Sequence, residues 1–249
     1  MENQVCQKNS FFDTLKKVKW WGWLAGACSL GIQSLYYYLS NIIVNALNIT
    51  PICTKIDVID NFIPIVPAFA VVYVLSYIFW FLAPVMASTC GKEHFKKFVI
   101  GQLIAYTIGF VIYIVMPTYM DRVAEGLLEY AENGHWLLKI IYNVDGGAHA
   151  FNLLPSYHCL TSVYSYLAVR KQNDIPYWYR IVSLVMAILI CLATVFIKQH
   201  YFLDLAAGVG IAIICYVTVN LIYKLKAKKS HKSSTEKLAE KEKLKTEQR

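Results

Sequence analysis

Long apolar segments separated by short polar ones set the pattern of this chain. Six of them are visible, at about residues 20–46, 62–88, 98–117, 155–170, 177–197 and 199–223. Apolar segments of about 20 residues cross the hydrocarbon core of a membrane as α-helices, which satisfy their own backbone hydrogen bonds. The pattern therefore predicts an all-α fold: a polytopic membrane protein built as a six-transmembrane-helix bundle.

The stretch between the third and fourth segments, about residues 118–150, has a different pattern. It is net acidic, yet apolar residues such as Trp136 and Leu137 alternate with its charges, and Gly146-Gly147 closes it. Mixed patterning of this kind is typical of amphipathic helices that lie in the plane of the membrane surface. We expect one or two interfacial helices here.

The polar ends divide the chain into three parts. Residues 1–19 form a predicted cytoplasmic N-terminal segment, residues 20–223 the six-span membrane domain, and residues 224–249 a basic cytoplasmic tail. The tail is rich in Lys and Glu without a sustained apolar stripe, so we expect it to be disordered or a frayed helix near the membrane.

The charges of the loops predict the orientation in the membrane. Basic residues dominate residues 1–19, 89–97, 170–180 and 224–249, whereas residues 47–61 and 118–150 are neutral to acidic. By the positive-inside rule, both termini are cytoplasmic. The outer ends of the third, fourth and sixth spans then share one face of the membrane.

Composition supports a membrane protein and excludes other classes. The chain is 57% hydrophobic and only 16% charged, more apolar than a soluble domain. Its net charge of +8 comes mostly from the tail, so no basic surface indicates a nucleic-acid partner. Seven cysteines without C-x-x-C spacing are typical of small buried side chains, and indicate neither a disulfide framework nor a zinc site.

Two places in the sequence carry candidate chemistry. His200 precedes Asp204 by four residues, a spacing that on a helix brings a carboxylate to an imidazole and orients it. His158 follows Pro155 and Ser156 where the fourth apolar segment begins. Ionisable groups are costly at membrane depth, so a cluster of them at the outer ends of spans indicates a functional site.

These residue types suit phosphoryl transfer. One imidazole would attack phosphorus and the other would protonate the departing alkoxide. Arg122, Lys198 and the helix start at Ser156 would hold the phosphate oxygens. Taken singly, each histidine is more often an interfacial or structural residue. A zinc site of His158, His200 and Asp204 is an alternative by ligand type, although the nearby cations would repel a metal ion.

The run Pro155-Ser156-Tyr157-His158, followed further along by His200 and Asp204, resembles the type 2 phosphatidic acid phosphatase (lipid phosphate phosphatase) superfamily. Within that superfamily, Lys198-Gln199-His200-Tyr201 and the preceding Thr194 look most like the bacterial branch related to inositol phosphorylceramide and sphingomyelin synthases. The resemblance covers about residues 60–223.

The resemblance implies roles for individual residues. His200 would be the nucleophile that forms a phosphohistidine, Asp204 would orient it, and His158 would be the acid for the leaving group. Ser156 would contact phosphate, and Arg122 matches the arginine that closes the family's first motif. A six-helix bundle with its active site at the outer membrane face, without metal or other cofactor, is implied as well.

The chain also departs from the family pattern. Val115 stands where the first motif has a lysine, and Thr194 stands where the third motif has an arginine. Two phosphate-binding cations are thus absent, and Lys198 would replace one of them only in part.

We therefore expect an integral membrane phosphatase that hydrolyses a lipid phosphate or pyrophosphate at the outer face of the cell membrane, in a bacterial plasma membrane. A phosphotransferase that passes a head group to an alcohol is an alternative within the same chemistry. A non-enzymatic transporter or lipid-binding protein, and an inactive family member, are two others. The expected partners are the lipid substrate and membrane lipids, and the oligomeric state stays open.

Overall fold

The computed structural model describes the backbone of residues 11–247 and the side chains of residues 13, 14 and 16–229. Residues 1–10 of the predicted N-terminal segment lie outside the described residues. The helices are α1 Phe11–Lys17, α2 Trp20–Ala46, α3 Asp57–Asp60, α4 Phe69–Ala87, α5 Lys92–Val115, α6 Leu127–Glu132, α7 Trp136–Val144, α8 Tyr157–Val169, α9 Tyr177–Phe196 and α10 Phe202–Glu247. The strands are β1 Tyr119–Asp121 and β2 His149–Phe151.

Four helices within the described part of the chain are long and apolar enough to cross a membrane. They are Phe69–Cys90, Lys92–Val115, Tyr177–Phe196 and the first part of α10, Phe202–Lys229. They correspond to the second, third, fifth and sixth predicted segments, and they make the chain a multi-pass membrane protein.

The first and fourth predicted spans differ from these four. α2 has 27 residues and no charged side chain, but residues such as Gln33 and Asn41 lower its hydropathy. α8 has only 13 residues. At 1.5 Å per residue it is about 20 Å long, shorter than the roughly 30 Å hydrocarbon core. The count of six spans therefore stays a prediction.

α8 lies at the centre of the bundle, packed against α4, α5, α9 and α10. Two of its buried polar side chains are hydrogen-bonded to neighbouring helices: Trp80 Nε1 on α4 donates to Ser162 Oγ at 2.8 Å, and Thr161 Oγ1 donates to Gln33 Oε1 on α2 at 3.0 Å. Because buried polar groups need partners, these bonds fix the helix among its neighbours. The residues at its N-terminal end are fixed with it.

The outward faces of the long helices are apolar, as a lipid environment requires. Exposed apolar side chains include Val71, Leu75 and Ile78 on α4, Ile104, Ile108 and Val111 on α5, Val182, Val185 and Ile188 on α9, and Ile213, Val217 and Leu221 on α10.

The segment between α5 and α8 contains the two short helices α6 and α7, in agreement with the expectation of one or two helices. It also contains a small antiparallel sheet, in which Tyr119 lies opposite Phe151 and Asp121 opposite His149. The all-α prediction omitted this sheet, because three-residue strands are too short to show an alternating pattern. The position of α6 and α7 at the membrane surface stays a prediction.

The C-terminal helix continues past the predicted start of the tail at residue 224. Its backbone is helical to Glu247, where we expected disorder or a frayed helix. Lys and Glu are good helix formers, and oppositely charged pairs four residues apart stabilise a helix further. The predicted boundary therefore marks a change of composition within one helix.

Close packing of α5 against α8 gives a test of the bundle. A Cβ atom on Gly109 would overlap the ring of Tyr157, whereas one on Gly210 of α10 would meet nothing within 4 Å. We expect Gly109→Ala to lower the free energy of unfolding by about 1–3 kcal/mol, the usual cost of overpacking. Gly210→Ala should be neutral or slightly stabilising, because Ala favours helix over Gly. Thermal unfolding in detergent measures both, and equal effects would contradict the packing.

Candidate active site

His158 and His200 lie side by side at one end of the bundle. The centroids of their rings are 6.0 Å apart, and both line a cavity of about 270 Å³. His158 lies in the first turn of α8, and His200 lies in the turn between α9 and α10. Two residues 42 positions apart in the sequence thus share one cavity.

Hydrogen bonds of the backbone and of the Asp204 carboxylate fix the conformation of the turn that carries His200. The amide of His200 donates to the carbonyl of Thr194 at 3.1 Å. The carboxylate of Asp204, which is fully buried, accepts from the Tyr201 amide at 2.8 Å and from Thr54 Oγ1 at 2.8 Å. His200 Nδ1 lies 3.8 Å from Asp204 Oδ2. His200 precedes the first residue of α10 instead of lying on one helix with Asp204, yet the two side chains still meet.

The two histidine motifs contact each other through their backbones. Ser156 caps α8, with its Oγ accepting from the Cys159 amide at 3.4 Å. The amide of Ser156 donates to the carbonyl of Asp204 at 3.0 Å. A Cβ atom on Gly208 would meet the Ser156 carbonyl, so glycine permits this close approach of α8 and α10. The start of α8 is thereby fixed relative to the His200 turn.

Aromatic rings from α4 surround His158. Tyr73 stacks on its imidazole at 4.0 Å between centroids, and Trp80 approaches edge-on at 4.7 Å. Tyr77 lies at 6.0 Å. Sequence reasoning missed these three rings, although their spacing of four and three residues places them on one helical face. His158 Nε2 is buried and has no hydrogen-bond partner among the described residues.

Arg122 is fully buried and engaged with the segment between α5 and α8. Its Nη1 donates to three carbonyls, those of Tyr142, Asp145 and Gly147, at 3.0–3.1 Å. Its Nη2 donates to Gln199 Oε1 at 2.7 Å. Arg122 does not line the histidine cavity. In this arrangement it holds Gln199, the neighbour of His200, and its predicted contact with phosphate stays a prediction.

Lys198 lies on the other side of the turn from His200. Its backbone is in the left-handed region, with φ of 51°, and its Nζ donates to the Asp60 carbonyl at 2.7 Å. It lines a separate cavity of about 260 Å³ together with Lys55 and Glu125. Of the six predicted site residues, the structure therefore brings His158, His200, Asp204 and Ser156 together, but not Lys198 or Arg122.

Asp145 and Tyr37 line the histidine cavity and were not predicted. Tyr37 Oη donates to Asp145 Oδ1 at 3.1 Å, and Arg122 Nη2 lies 3.4 Å from Asp145 Oδ2. Asn152, from the same segment, donates to the Tyr37 carbonyl at 3.0 Å. Asp145 is one of several acidic residues in a polar loop, so no local signal distinguishes it in the sequence.

The charges at the site shift the protonation of its groups. Burial opposes protonation of His200, but the neighbouring Asp204 carboxylate, together with Cys159 and Asp145, more than offsets this and raises the pKa of His200 above its ordinary value. Burial raises the pKa of Asp145, with Arg122 acting in the opposite direction. A raised pKa on a buried histidine beside a carboxylate is typical of a functional site.

Among the described residues, no three His, Cys, Asp or Glu side chains are grouped so that they could hold a metal ion. The zinc alternative built on His158, His200 and Asp204 therefore gains no support from the geometry.

The fold and the cavity thus define a multi-pass helical protein with a pair of histidines, one buried and one half-buried, beside a buried carboxylate. The sequence matches the PAP2 superfamily over residues 55–218, more than half of the chain, and the chain belongs to this family. All six predicted site residues lie within the match.

One curated relative is a PA-phosphatase related-family protein of Dictyostelium discoideum. It is 29% identical over 129 residues, which cover 49% of this chain and 23% of the relative. The matched part is thus about a quarter of the relative's length. No solved structure matches the chain significantly.

The bonds of Arg122 predict that it stabilises the fold. We expect Arg122→Gln to lower the free energy of unfolding by about 1.5–3 kcal/mol or more, since one hydrogen bond to a charged group usually contributes that much. Lys139→Gln is the control, because Lys139 is exposed and pairs with Glu132 only at the surface, at 3.5 Å. Thermal unfolding measures both. Unchanged stability with loss of activity would instead assign Arg122 to the substrate.

Proposed function

We propose that this PAP2 superfamily membrane protein is a phosphatase that hydrolyses a lipid phosphate or pyrophosphate through a phosphohistidine intermediate. The observation that carries the proposal is the pair of histidines in one cavity, with Asp204 beside His200. Two histidines can divide the work of nucleophile and acid, and a carboxylate stabilises the cationic imidazole that the attack creates.

In the first step, the imidazole of His200 attacks phosphorus and forms a P–N bond. The P–O bond to the lipid breaks, and the departing oxygen takes a proton from His158, whose cationic form the negative charge of the bound phosphate favours. The phosphorylated imidazole carries positive charge next to Asp204, whose carboxylate stabilises it. His158 is left neutral.

In the second step, water attacks the phosphohistidine while neutral His158 accepts its proton. The P–N bond breaks, inorganic phosphate leaves, and both histidines regain their starting states. An alcohol in place of water would give a phosphotransferase, which is the alternative within this chemistry. The geometry of the histidine pair suits both reactions, so only the attacking group separates them.

The lining of the cavity supports a lipid substrate. Tyr38 of α2 and Val74 of α4 line it and are also exposed on the outer surfaces of their helices. The cavity thus adjoins the surface that faces the acyl chains of the bilayer, so a lipid can enter from the side. Its chains would remain in the membrane while its phosphate reaches the histidines.

The charge of a bound phosphate needs partners in this cavity. No Lys or Arg is among the described residues that line it. Protonated histidine and the backbone N–H groups at the start of α8, which Ser156 caps, are the groups that would meet the charge. The family's two missing cations are thus not replaced within the cavity itself.

The finer assignments are proposals as well. The loop charges support both termini in the cytoplasm and an active site at the outer face of the cell membrane. The motif around His200 supports the bacterial branch related to inositol phosphorylceramide and sphingomyelin synthases, and hence a bacterial plasma membrane. The competing class is a transporter or lipid-binding protein, which would use the same histidines without forming a covalent bond to phosphorus.

The histidine pair predicts a specific pattern of activity loss. Purified protein in detergent, with excess chelator, should release phosphate from at least one member of a panel of lipid phosphates and pyrophosphates. His200→Ala should abolish release, and His158→Ala should reduce it by about 10²–10⁴-fold, the usual contribution of a general acid. His149→Ala is the matched control, because its side chain is 51% exposed in β2.

Labelled substrate separates the enzyme from the transporter. Rapid acid-free quenching should trap phosphate on the wild-type chain but not on His200→Ala. Release that survives His200→Ala would overturn the phosphohistidine mechanism. No release, with or without an added acceptor alcohol, would overturn both the hydrolase and the transferase.

The raised pKa of His200 predicts the acidic limb of the pH profile. The attacking imidazole must be neutral, so activity should fall as the pH drops through the pKa of His200. Asp204→Asn removes the carboxylate that raises this pKa, so the limb should move to lower pH while the maximal rate also falls. His149→Ala, at an exposed position in β2, keeps the carboxylate with its hydrogen bonds and should leave the limb near its wild-type position. The profile of kcat/KM measures this, and an unmoved limb in Asp204→Asn would contradict the role of Asp204.

A further inference from the structure

A second polar cavity lies across the turn from His200. It has a volume of about 260 Å³. Its polar lining residues are Lys55, Asp60, Asn61, Glu125, Lys198 and Tyr201. The turn between α9 and α10 separates it from the histidine cavity, since Lys198 and Tyr201 face one side and His200 lines the other.

Lys198 is the cation in this cavity that lacks a carboxylate partner. Lys55 Nζ already lies 2.7 Å from Glu125 Oε1. The carboxylate of Asp60 accepts from two backbone amides, those of Ile56 at 2.7 Å and Phe202 at 2.8 Å. Lys198 Nζ donates only to the carbonyl of Asp60, and among the described residues it forms no ion pair. An anion that enters the cavity could therefore accept hydrogen bonds from the remaining N–H groups of the Lys198 ammonium.

The environment of Lys198 disfavours its charge in the absence of such an anion. Burial lowers the pKa of Lys198, with Asp60 and Glu125 acting in the opposite direction. A partly desolvated cation gains more from a bound anion than a solvated one does, because water screens it less.

An apolar groove of about 680 Å³ adjoins this cavity. It lies between α8, α9 and α10, and its lining is aliphatic and aromatic. Ile63 lines both the groove and the polar cavity, and Phe202 lines the groove while its amide bonds to Asp60. A polar cavity and an apolar groove are thus continuous.

The length of the groove matches one leaflet. Its lining runs from Leu184 to Phe196 on α9 and from Phe202 to Ile213 on α10. At 1.5 Å per residue these stretches span about 17–18 Å, slightly more than half of the roughly 30 Å hydrocarbon core. An acyl chain of one leaflet therefore fits along it, with its head group at the level of Lys198.

We propose that the cavity and the groove together form a second lipid-binding site, distinct from the histidine cavity. Its occupant is a membrane lipid whose phosphate binds Lys198 and whose acyl chain lies between α9 and α10. Charge complementarity at Lys198 and the continuity of polar and apolar linings distinguish this site from the general lipid-facing surface. Since the same turn carries His200, a lipid bound here contacts the element that positions the nucleophile.

Native mass spectrometry of the purified protein tests the site by binding alone. Phosphatidic acid is titrated into His200→Ala protein, which rules out turnover by the proposed mechanism, and two bound lipids are expected. Lys198→Gln should weaken one of the two by about tenfold or more, as expected for the loss of a hydrogen bond between charged groups. Lys139→Gln, at an exposed lysine of α7, should change nothing.

A second pair of variants tests the groove. Ile188→Trp fills it from an exposed position, and Ile181→Trp places the same side chain on the exposed surface of α9 outside the groove. We expect Ile188→Trp to bind only one lipid and Ile181→Trp to bind two. The thermal unfolding temperature of both variants should stay near that of the parent. A photoreactive acyl chain should label peptides of α9 and α10 in the parent and in Ile181→Trp.

Three results would overturn the proposal. They are equal binding by Lys198→Gln and the parent, equal binding of diacylglycerol and phosphatidic acid at both sites, and saturation of the Lys198 site by inorganic phosphate without any preference for a lipid. None of these depends on phosphate release. Failure of the phosphatase assay would therefore leave this site standing, and failure of this site would leave the histidine mechanism standing.

Discussion

The buried carboxylate of Asp204 is the group on which the rest of the site depends. A carboxylate out of contact with water must have its oxygens satisfied, because an unpaired buried charge costs several kcal/mol. Thr54 and the Tyr201 amide supply those bonds, while the backbone carbonyl of Asp204 accepts from Ser156. Three distant parts of the chain thus meet at one residue, and His200 is placed against it.

The short central helix α8 explains how a polar site is kept within an apolar bundle. Too short to cross the hydrocarbon core, it is surrounded by longer helices and bonded to them through Thr161 and Ser162. Its N-terminal end therefore places His158 inside the bundle, against Tyr73 and Trp80. The burial of Asp204 and His200 next to it limits their contact with water, which strengthens the charge interaction between them.

The turn between α9 and α10 separates two environments. Gln199, bonded to Arg122, fixes its middle, so that His200 lines one cavity and Lys198 lines another. The left-handed backbone of Lys198 is what directs its side chain away from the histidines. Lys198, predicted from the sequence to hold phosphate beside the histidines, therefore lines a cavity of its own, which is where we propose a second lipid site.

The sequence by itself determined the four long membrane helices and the family, because hydropathy and short motifs are local properties that survive without tertiary information. It also indicated His158, His200 and Asp204 as a group. Only the tertiary structure decided that Arg122 bonds to Gln199 and that Asp145 lines the cavity. The contacts of Arg122 and Asp145 depend on where the long segment between α5 and α8 folds back, and the direction of the Lys198 side chain depends on one backbone dihedral angle. Neither leaves a periodic trace in the sequence, and this is the physical reason why the sequence alone did not show them.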